Sequence, residues 1–132
     1  MLIGFVVILP TIIFAQSKGT PTIDKRLYEV FEADFLEQMQ RKTPAMIEYY
    51  NFFLDHAYDI QTSTKKETST YPEVTIDNFE NINILKIITD ENLKRDYHNQ
   101  SIYQIVGTDK LLILIAEKEL AKKFNQHTGR TH

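Results

Sequence analysis

Apolar residues follow a helical period in the first half of the chain and move towards a two-residue period in part of the second half. The segment DKRLYEVFEADFLEQMQRK starts at Asp24 and repeats an apolar residue at every fourth position, at Leu27, Phe31, Phe35 and Met39. This spacing places the four side chains in one stripe on a helix. We therefore predict a helix here, with Asp24 as its N-cap.

A second helix is predicted to begin directly after the first. Thr43 is a capping residue, and Pro44 would occupy the first helical position, where its missing N–H costs no hydrogen bond. The segment PAMIEYYNFFLDHAYDI, residues 44–60, carries an apolar arc of nearly half the helix circumference. Such an aromatic helix packs in a core or offers its aromatic side to a partner, and we favour core packing.

The period changes after the polar stretch TSTKKETSTYPE, residues 62–73, which we predict to be a surface loop. Val74 and Ile76 alternate with polar residues, and INILKII, residues 82–88, is apolar on both faces, so we predict strands in both places. SIYQIV and LLILI, residues 101–106 and 111–115, flank turn-forming residues around Gly107. This pattern predicts a β-hairpin whose second arm is an inner strand.

The chain closes with a predicted helix in AEKELAKKFNQHTGR, where Leu120 and Phe124 lie one turn apart and Gly129 can end the helix. Strands clustered between helices, without regular β–α alternation, are typical of an α+β fold. We expect two N-terminal helices, an antiparallel sheet of about three to five strands that includes the hairpin around Gly107, and a C-terminal helix.

The first residues differ from the rest because residues 1–17 carry no charge and are mostly apolar. A membrane-spanning helix needs about 20 apolar residues, whereas this run ends near Ala15 and contains Pro10. The pattern indicates a signal peptide cleaved between Ala15 and Gln16. The alternative is an uncleaved N-terminus anchored in the inner membrane, because no Lys or Arg precedes the apolar run.

These boundaries predict three regions: a signal peptide at 1–15, a flexible lead-in at 16–23, and a single α+β domain at 24–132. With the signal removed, we expect no stable membrane span. The protein would then be exported to the periplasm or cell envelope.

Composition excludes several kinds of chemistry. The chain contains no Cys and therefore has no thiol nucleophile, thiolate metal site, disulfide or lipid-bearing cysteine. Its glycines are too far apart to form a phosphate-binding loop. The net charge of −3 gives no reason to expect nucleic acid as a partner. We predict no cofactor, no metal ion and no catalytic residue.

His98 is the histidine with the most chemistry near it in the sequence. It lies in TDENLKRDYHNQS between two predicted strands, close to Asp90, Glu91, Asp96 and Tyr97. An acid–base pair of His98 with a nearby carboxylate would make a small metal-independent hydrolase or lyase. A plain connecting loop is the interpretation we favour.

The other histidines are less organised for chemistry. His127 and His132 lie five positions apart across Gly129, so they do not share a helical face, and we predict no metal site from them. His56 follows Asp55 on the predicted second helix. We expect it to be a half-buried histidine.

Several segments together resemble small exported proteins of Bacteroidota, the group that includes flavobacteria: the FAQ signal end, IDKRLYEVFEADFLEQMQ, IEYYNFFLDHAYDI, NINILKI and VGTDKLLILI. The resemblance spans most of the chain and carries no active-site motif. It implies a non-enzymatic accessory role in the envelope. An envelope protein would be the partner, by analogy a component of a secretion or gliding apparatus.

We therefore expect an exported accessory protein that acts as a non-enzymatic protein-interaction module, through an apolar patch or a sheet edge. Two alternatives stay open. One is the hydrolase or lyase that uses His98, and the other is a carrier for a small ligand in a pocket lined by tyrosines.

Overall fold

A computed structural model of the chain describes residues 19–63 and 70–129. The signal peptide and the cleavage site at Ala15 and Gln16 lie outside the described residues. The regular elements follow one another as a 3-10 helix (Lys25–Glu29), α1 (Ala33–Lys42), α2 (Pro44–His56), β1 (Tyr58–Thr62), β2 (Glu73–Val74), α3 (Ile84–Asp90), β3 (Ser101–Ile105), β4 (Lys110–Leu114) and α4 (Glu117–His127).

The α+β class is confirmed, since the described residues contain four α-helices and a four-stranded sheet. The chain divides between Phe52 and Phe53 into two compact units. The 3-10 helix, α1 and most of α2 belong to the first unit. The sheet, α3 and α4 belong to the second. None of the described helices has both the length and the apolar character needed to cross a membrane.

The prediction of one continuous helix from Asp24 is wrong, because the chain forms a 3-10 helix, bends, and restarts as α1. Glu32 has an extended backbone at the start of α1. This interruption resets the helical phase, so that the fully buried residue of α1 is Leu36, while Phe35 is 48% exposed. Leu27, from the same predicted stripe, is buried.

Asp24 caps the 3-10 helix as predicted for the start of this segment, and its carboxylate accepts a hydrogen bond from the backbone N–H of Arg26 at 2.9 Å. The Arg26 guanidinium also donates to both carboxylate oxygens, at 3.0 and 2.8 Å. These side-chain hydrogen bonds lower the pKa of Asp24 below its usual value.

Helix α2 begins at Pro44, as the Thr43–Pro44 pair predicts, but it ends at His56 and not at Ile60. The carbonyl of Ala57 accepts a hydrogen bond from Ile115 N at 2.8 Å, and the following residues form β1. Pairing with an apolar strand supplies partners for this backbone. Residues 58–60 therefore form a strand, although the spacing of their apolar side chains also fits a continued helix.

The sheet has the order β1-β4-β3-β2. Strand β4 pairs antiparallel with β1 and β3, whereas β2 pairs parallel with β3. The prediction of an antiparallel sheet is therefore wrong at β2. The connection from β2 to β3 contains α3 and is long enough to return the chain in the same direction, which a parallel pair requires.

The segment INILKII forms helix α3 and not the predicted strand. Asn83 supplies the N-cap, because its side-chain oxygen accepts a hydrogen bond from Lys86 N at 3.3 Å. Ile84 is fully buried. A short run that is apolar on both faces fits a buried strand and a short helix equally well, and here the capping residue favours the helix.

The hairpin around Gly107 and the inner position of its second arm are confirmed. Gly107 has a φ of +77°, which suits a residue without a side chain. The Gln104 amide lies inside the turn and donates to the carbonyls of Ile105, Thr108 and Lys110 at 3.1, 2.9 and 3.2 Å. This side chain ties the turn to the strand.

The C-terminal helix is confirmed as α4, with Leu120 and Phe124 buried. On the sheet, one face carries a set of buried side chains, namely Val74, Tyr103, Ile105, Leu112 and Leu114. The predicted loop at 62–73 lies partly outside the described residues, and its two ends belong to β1 and β2.

We expect Leu112→Ala to lower the free energy of unfolding by about 2–5 kcal/mol, because the fully buried Leu112 would leave a cavity. Leu111→Ala is the matched control, since Leu111 is half-buried on the opposite face of β4. It should cost about 1 kcal/mol. Urea denaturation measures both values, and equal losses would contradict this assignment of the core face.

Candidate functional site

Four aromatic side chains of the first unit lie in pairs close to one another. We call them, together with Met46 on α2, the aromatic patch, which consists of Phe31, Phe35, Met46, Tyr49 and Tyr50. The ring centroids of Phe31 and Phe35 are 5.6 Å apart, those of Phe31 and Tyr50 are 5.2 Å apart, and those of Tyr49 and Tyr50 are 6.2 Å apart. These are the spacings of favourable aromatic pairs. Met46 lies one helical turn before Tyr50 on α2.

Two members of the aromatic patch are open to solvent. Phe35 is 48% exposed and Met46 is 39% exposed, while Phe31, Tyr49 and Tyr50 are half-buried. The sequence predicted the apolar arc of α2. It did not indicate that Phe35 faces outward, because the bend before α1 changes which side of that helix is buried.

Two carboxylates stand beside Phe35 in the sequence. Glu32 precedes α1 and Asp34 lies in its first turn, and both are exposed. Both are placed where a helix N-terminus favours negative charge. The aromatic patch therefore has an acidic border next to its most exposed ring.

The residues before the 3-10 helix are tied to α1 and α2. The amide of Asn51 accepts a hydrogen bond from Asp24 N at 3.1 Å and donates to the carbonyl of Thr22 at 2.7 Å. Gln40 donates to the carbonyl of Pro21 at 2.9 Å. Residues 21–24 of the first unit are thus held in place by two helices.

A groove of about 560 Å³ opens beside this segment. Its walls are formed by residues 20–23 on one side and by helical residues on the other, namely Tyr28, Glu37, Gln40 and Arg41. It is open to solvent, and Tyr28 is the tyrosine among its lining residues. Tyr49 and Tyr50 belong to the aromatic patch and are not among the residues that line this groove.

His98 lies on the surface of the second unit in a turn that Asp96 organises. The Asp96 carboxylate accepts hydrogen bonds from the backbone N–H groups of His98 and Asn99, at 2.9 and 2.8 Å. These two bonds, led by that from Asn99, lower the pKa of Asp96 below its ordinary value. The His98 ring is exposed and meets the Tyr97 ring edge-on, with 4.8 Å between centroids.

The loop that carries His98 is fastened to the start of α4. Carbonyls of Asp96 and Tyr97 accept hydrogen bonds from Glu117 N and Lys118 N, both at 3.0 Å. These bonds satisfy helix N–H groups that have no partner within the helix. The polar composition of the loop thus serves backbone hydrogen bonding, and the carboxylate nearest to His98 in sequence is engaged in shaping the turn.

Arg95 anchors the same loop from below the surface, a role that the sequence analysis missed. Its side chain is 12% exposed, its guanidinium lies 4.9 Å from the centre of the Phe53 ring, and Nη2 donates to the Ile115 carbonyl at 3.1 Å. Nη1 lies 3.8 Å from the Glu117 carboxylate. The chain contains several pairs of adjacent basic residues, such as Lys25-Arg26, Arg41-Lys42 and Lys94-Arg95. Nothing in the composition distinguishes the pair that has a buried member.

Tyr103 holds the residue before Arg95. Its buried hydroxyl accepts a hydrogen bond from Lys94 N at 3.0 Å and donates to the Lys94 carbonyl at 3.1 Å. A tyrosine on the core face of β3 thus satisfies both backbone groups of one loop residue. The phenol hydroxyl thus links β3 to the loop.

The remaining histidines fall into separate places. His56 is exposed, and its ring centroid lies 6.2 Å from that of His127, at the ends of α2 and α4. The prediction that His56 is half-buried is therefore wrong, because its position at the last residue of α2 turns it to solvent. His132 lies outside the described residues. Within 19–63 and 70–129, no three potential metal ligands converge.

Comparison with protein-family models, with curated proteins and with solved structures finds no match for this chain.

We expect the stabilising effect of Asp96 to be lost in acid. Because its pKa is lowered in the folded state, its contribution is present above the unfolded-state pKa of about 4 and disappears as the pH falls through the lower folded-state value. The Tm of the wild type should exceed that of Asp96→Ala at neutral pH, and the difference should shrink towards about pH 3.

Asp96→Asn is the matched control, since it keeps an acceptor oxygen for the turn and does not titrate. Its Tm advantage over Asp96→Ala should stay constant across the same pH range. A wild-type advantage that is equally large in acid would contradict the role assigned to the ionised carboxylate.

Proposed function

We propose that this chain is an exported cell-envelope protein that works by binding another protein through the aromatic patch. The observation that carries the proposal is the set of packed rings in which Phe35 remains open to solvent, with the exposed Met46 one helical turn before Tyr50. Exposed apolar surface of this kind marks interaction sites in soluble domains. Aromatic residues and methionine are also enriched at protein interfaces.

The chemistry around the aromatic patch supports one kind of partner surface. Phe35 offers an apolar contact, and the exposed carboxylates of Glu32 and Asp34 border it. The complementary surface is an apolar side chain or pocket with Lys or Arg at its rim. Basic residues would speed the encounter, and the apolar contact would supply most of the affinity.

The export part of the proposal rests on the uncharged apolar N-terminus and on the resemblance to exported Bacteroidota proteins. An envelope protein, by analogy a component of a secretion or gliding apparatus, is the partner class that this resemblance suggests. The acid–base alternative with His98 has less support, because Asp96 is committed to the turn. The carrier alternative requires a pocket lined by several tyrosines, whereas, among the described residues, the open groove beside residues 20–23 is lined by one tyrosine, Tyr28.

Fractionation of the cells that make this protein tests the export proposal. We expect the periplasmic or envelope fraction to contain a chain that begins at Gln16, with or without the mass loss of pyroglutamate formation. Intact-mass measurement reports cleavage and end modification together. A chain that retains residues 1–15 and stays in the inner membrane would replace this proposal with the anchored alternative.

The partner-binding proposal is tested by the double substitution Phe35→Ala, Met46→Ala. Because both side chains are exposed, we expect the fold to persist and the capture of a specific envelope protein to fall about tenfold or more. Quantitative affinity capture from solubilised envelope fractions measures this, with circular dichroism as the check on folding.

Tyr97→Ala is the matched control, because Tyr97 is a 54% exposed aromatic residue of the second unit. It should leave capture unchanged. If no envelope protein rises above background, or if Tyr97→Ala and the double variant reduce capture equally, the aromatic patch is not the binding surface.

A further inference from the structure

Strand β1 forms one edge of the sheet, because among the described residues its strand partner is β4. The other edge strand, β2, contains two residues and directly follows Pro72. A short strand and a proline both discourage pairing with another chain. Strand β1 has five residues and no proline, so it is the edge better suited to accept a further strand.

The hydrogen-bond phase of β1 shows which residues could make that pairing. Ala57 O accepts from Ile115 N, and Ser63 N donates to Asp109 O, both at 2.8 Å. Backbone groups of alternate residues in an antiparallel strand point to opposite sides. The backbone N–H and C=O groups of the odd-numbered residues of β1 therefore point towards β4. Those of Ile60 and Thr62 point to the outer side of the strand.

We propose that a second copy of this chain pairs with β1 in antiparallel orientation, with the two-fold axis at Ile60. This register places Ile60 opposite Ile60 of the second copy and Asp59 opposite its Gln61. A two-fold axis makes every contact occur twice. The inference is independent of partner binding by the aromatic patch, which belongs to the first unit.

Side-chain complementarity supports this register. Ile60 lies on the same sheet face as the buried Leu112, whereas Asp59 and Gln61 lie on the opposite face. Gln61 Nε2 already donates to Asp59 Oδ2 within the strand, at 3.1 Å. The proposed pairing therefore matches Ile60 with Ile60 and Tyr58 with Thr62 on one face, and amide with carboxylate on the other.

The neighbouring symmetric registers are less favourable for pairing. An axis at Asp59 would place two carboxylates opposite each other, and like charges in that position are destabilising. An axis at Gln61 would leave Tyr58 and Asp59 without a partner residue inside the opposing strand. The axis at Ile60 overlaps all five residues of both strands.

Disulfide trapping reads the register directly, because the chain has no native cysteine. Asp59→Cys and Gln61→Cys chains are purified separately, mixed, and oxidised. In the proposed register, residues 59 and 61 form a non-hydrogen-bonded pair with a Cα separation of about 4.5 Å, within the range of a disulfide. The mixture should give at least about fivefold more covalent dimer than either chain alone. In a single variant, the two cysteines occupy the same position in both copies and are too far apart for a disulfide in this register.

A charge exchange tests the same contact without oxidation. Gln61→Asp places carboxylates opposite each other at both symmetric positions and should raise the dissociation constant of the dimer about tenfold. Adding Asp59→Lys to that variant should restore dimerisation by opposite charge. Sedimentation equilibrium measures the constants, and thermal unfolding of dilute samples checks that each monomer is folded.

Equal cross-linking in all cysteine combinations would overturn the proposal, because it would indicate unspecific association. A wild-type chain that stays monomeric at every concentration would also overturn it, as would a Gln61→Asp effect that Asp59→Lys does not reverse. If β1 instead cross-links to a different protein in the envelope fraction and not to a second copy of this chain, β1 pairs with a strand of that protein and the proposed self-pairing is refuted.

Discussion

Strand β4 must find hydrogen-bond partners on both of its edges while its side chains are removed from water. Leu112, Ile113 and Leu114 are all buried, so the backbone between them has no access to solvent. The hairpin at Gly107 brings β3 to one edge by the shortest route. The other edge is filled by β1, and this requirement explains why α2 stops at His56 although the following residues continue its apolar arc.

Once β3 and β4 are paired, the outer edge of β3 is available for β2. Gln104 N and Val106 N donate to the carbonyls of Pro72 and Val74, at 2.8 and 2.9 Å. This pairing is short, and the segment that follows it includes α3 before the chain returns as β3. The mixed sheet is thus the outcome of one tight local pairing and one long connection.

The loop before β3 shows that polar composition alone does not identify a functional site. Asp, Arg and Tyr often act in catalysis, but here the side chains of Asp96, Arg95 and Tyr103 form hydrogen bonds with backbone groups of the loop and of Ile115. A loop packed against a helix must satisfy its own peptide groups. Side chains that form hydrogen bonds with these peptide groups are of the same chemical types as those that bind substrates.

Features set by neighbouring residues could be predicted from the sequence, and those set by distant pairing could not. The start of α2 at Thr43–Pro44, the turn at Gly107 and the end of α4 near Gly129 depend on local conformational preferences. The segment INILKII was ambiguous because it is apolar on both faces. β1 was missed because its partner strand lies about 50 residues away in the chain, so no local pattern reports the pairing.

The exposure of Phe35 also depends on a feature that the spacing of apolar residues does not reveal. The sequence predicts a stripe through Phe35 if the helix is continuous, and the bend before Ala33 moves Leu36 into that place. A shift of one residue on a helix turns a side chain by about 100°, enough to exchange a core position for a surface position. The aromatic patch thus depends on the break in the helix, because Leu36 and not Phe35 takes the buried position of α1 and the Phe35 ring is left open to solvent.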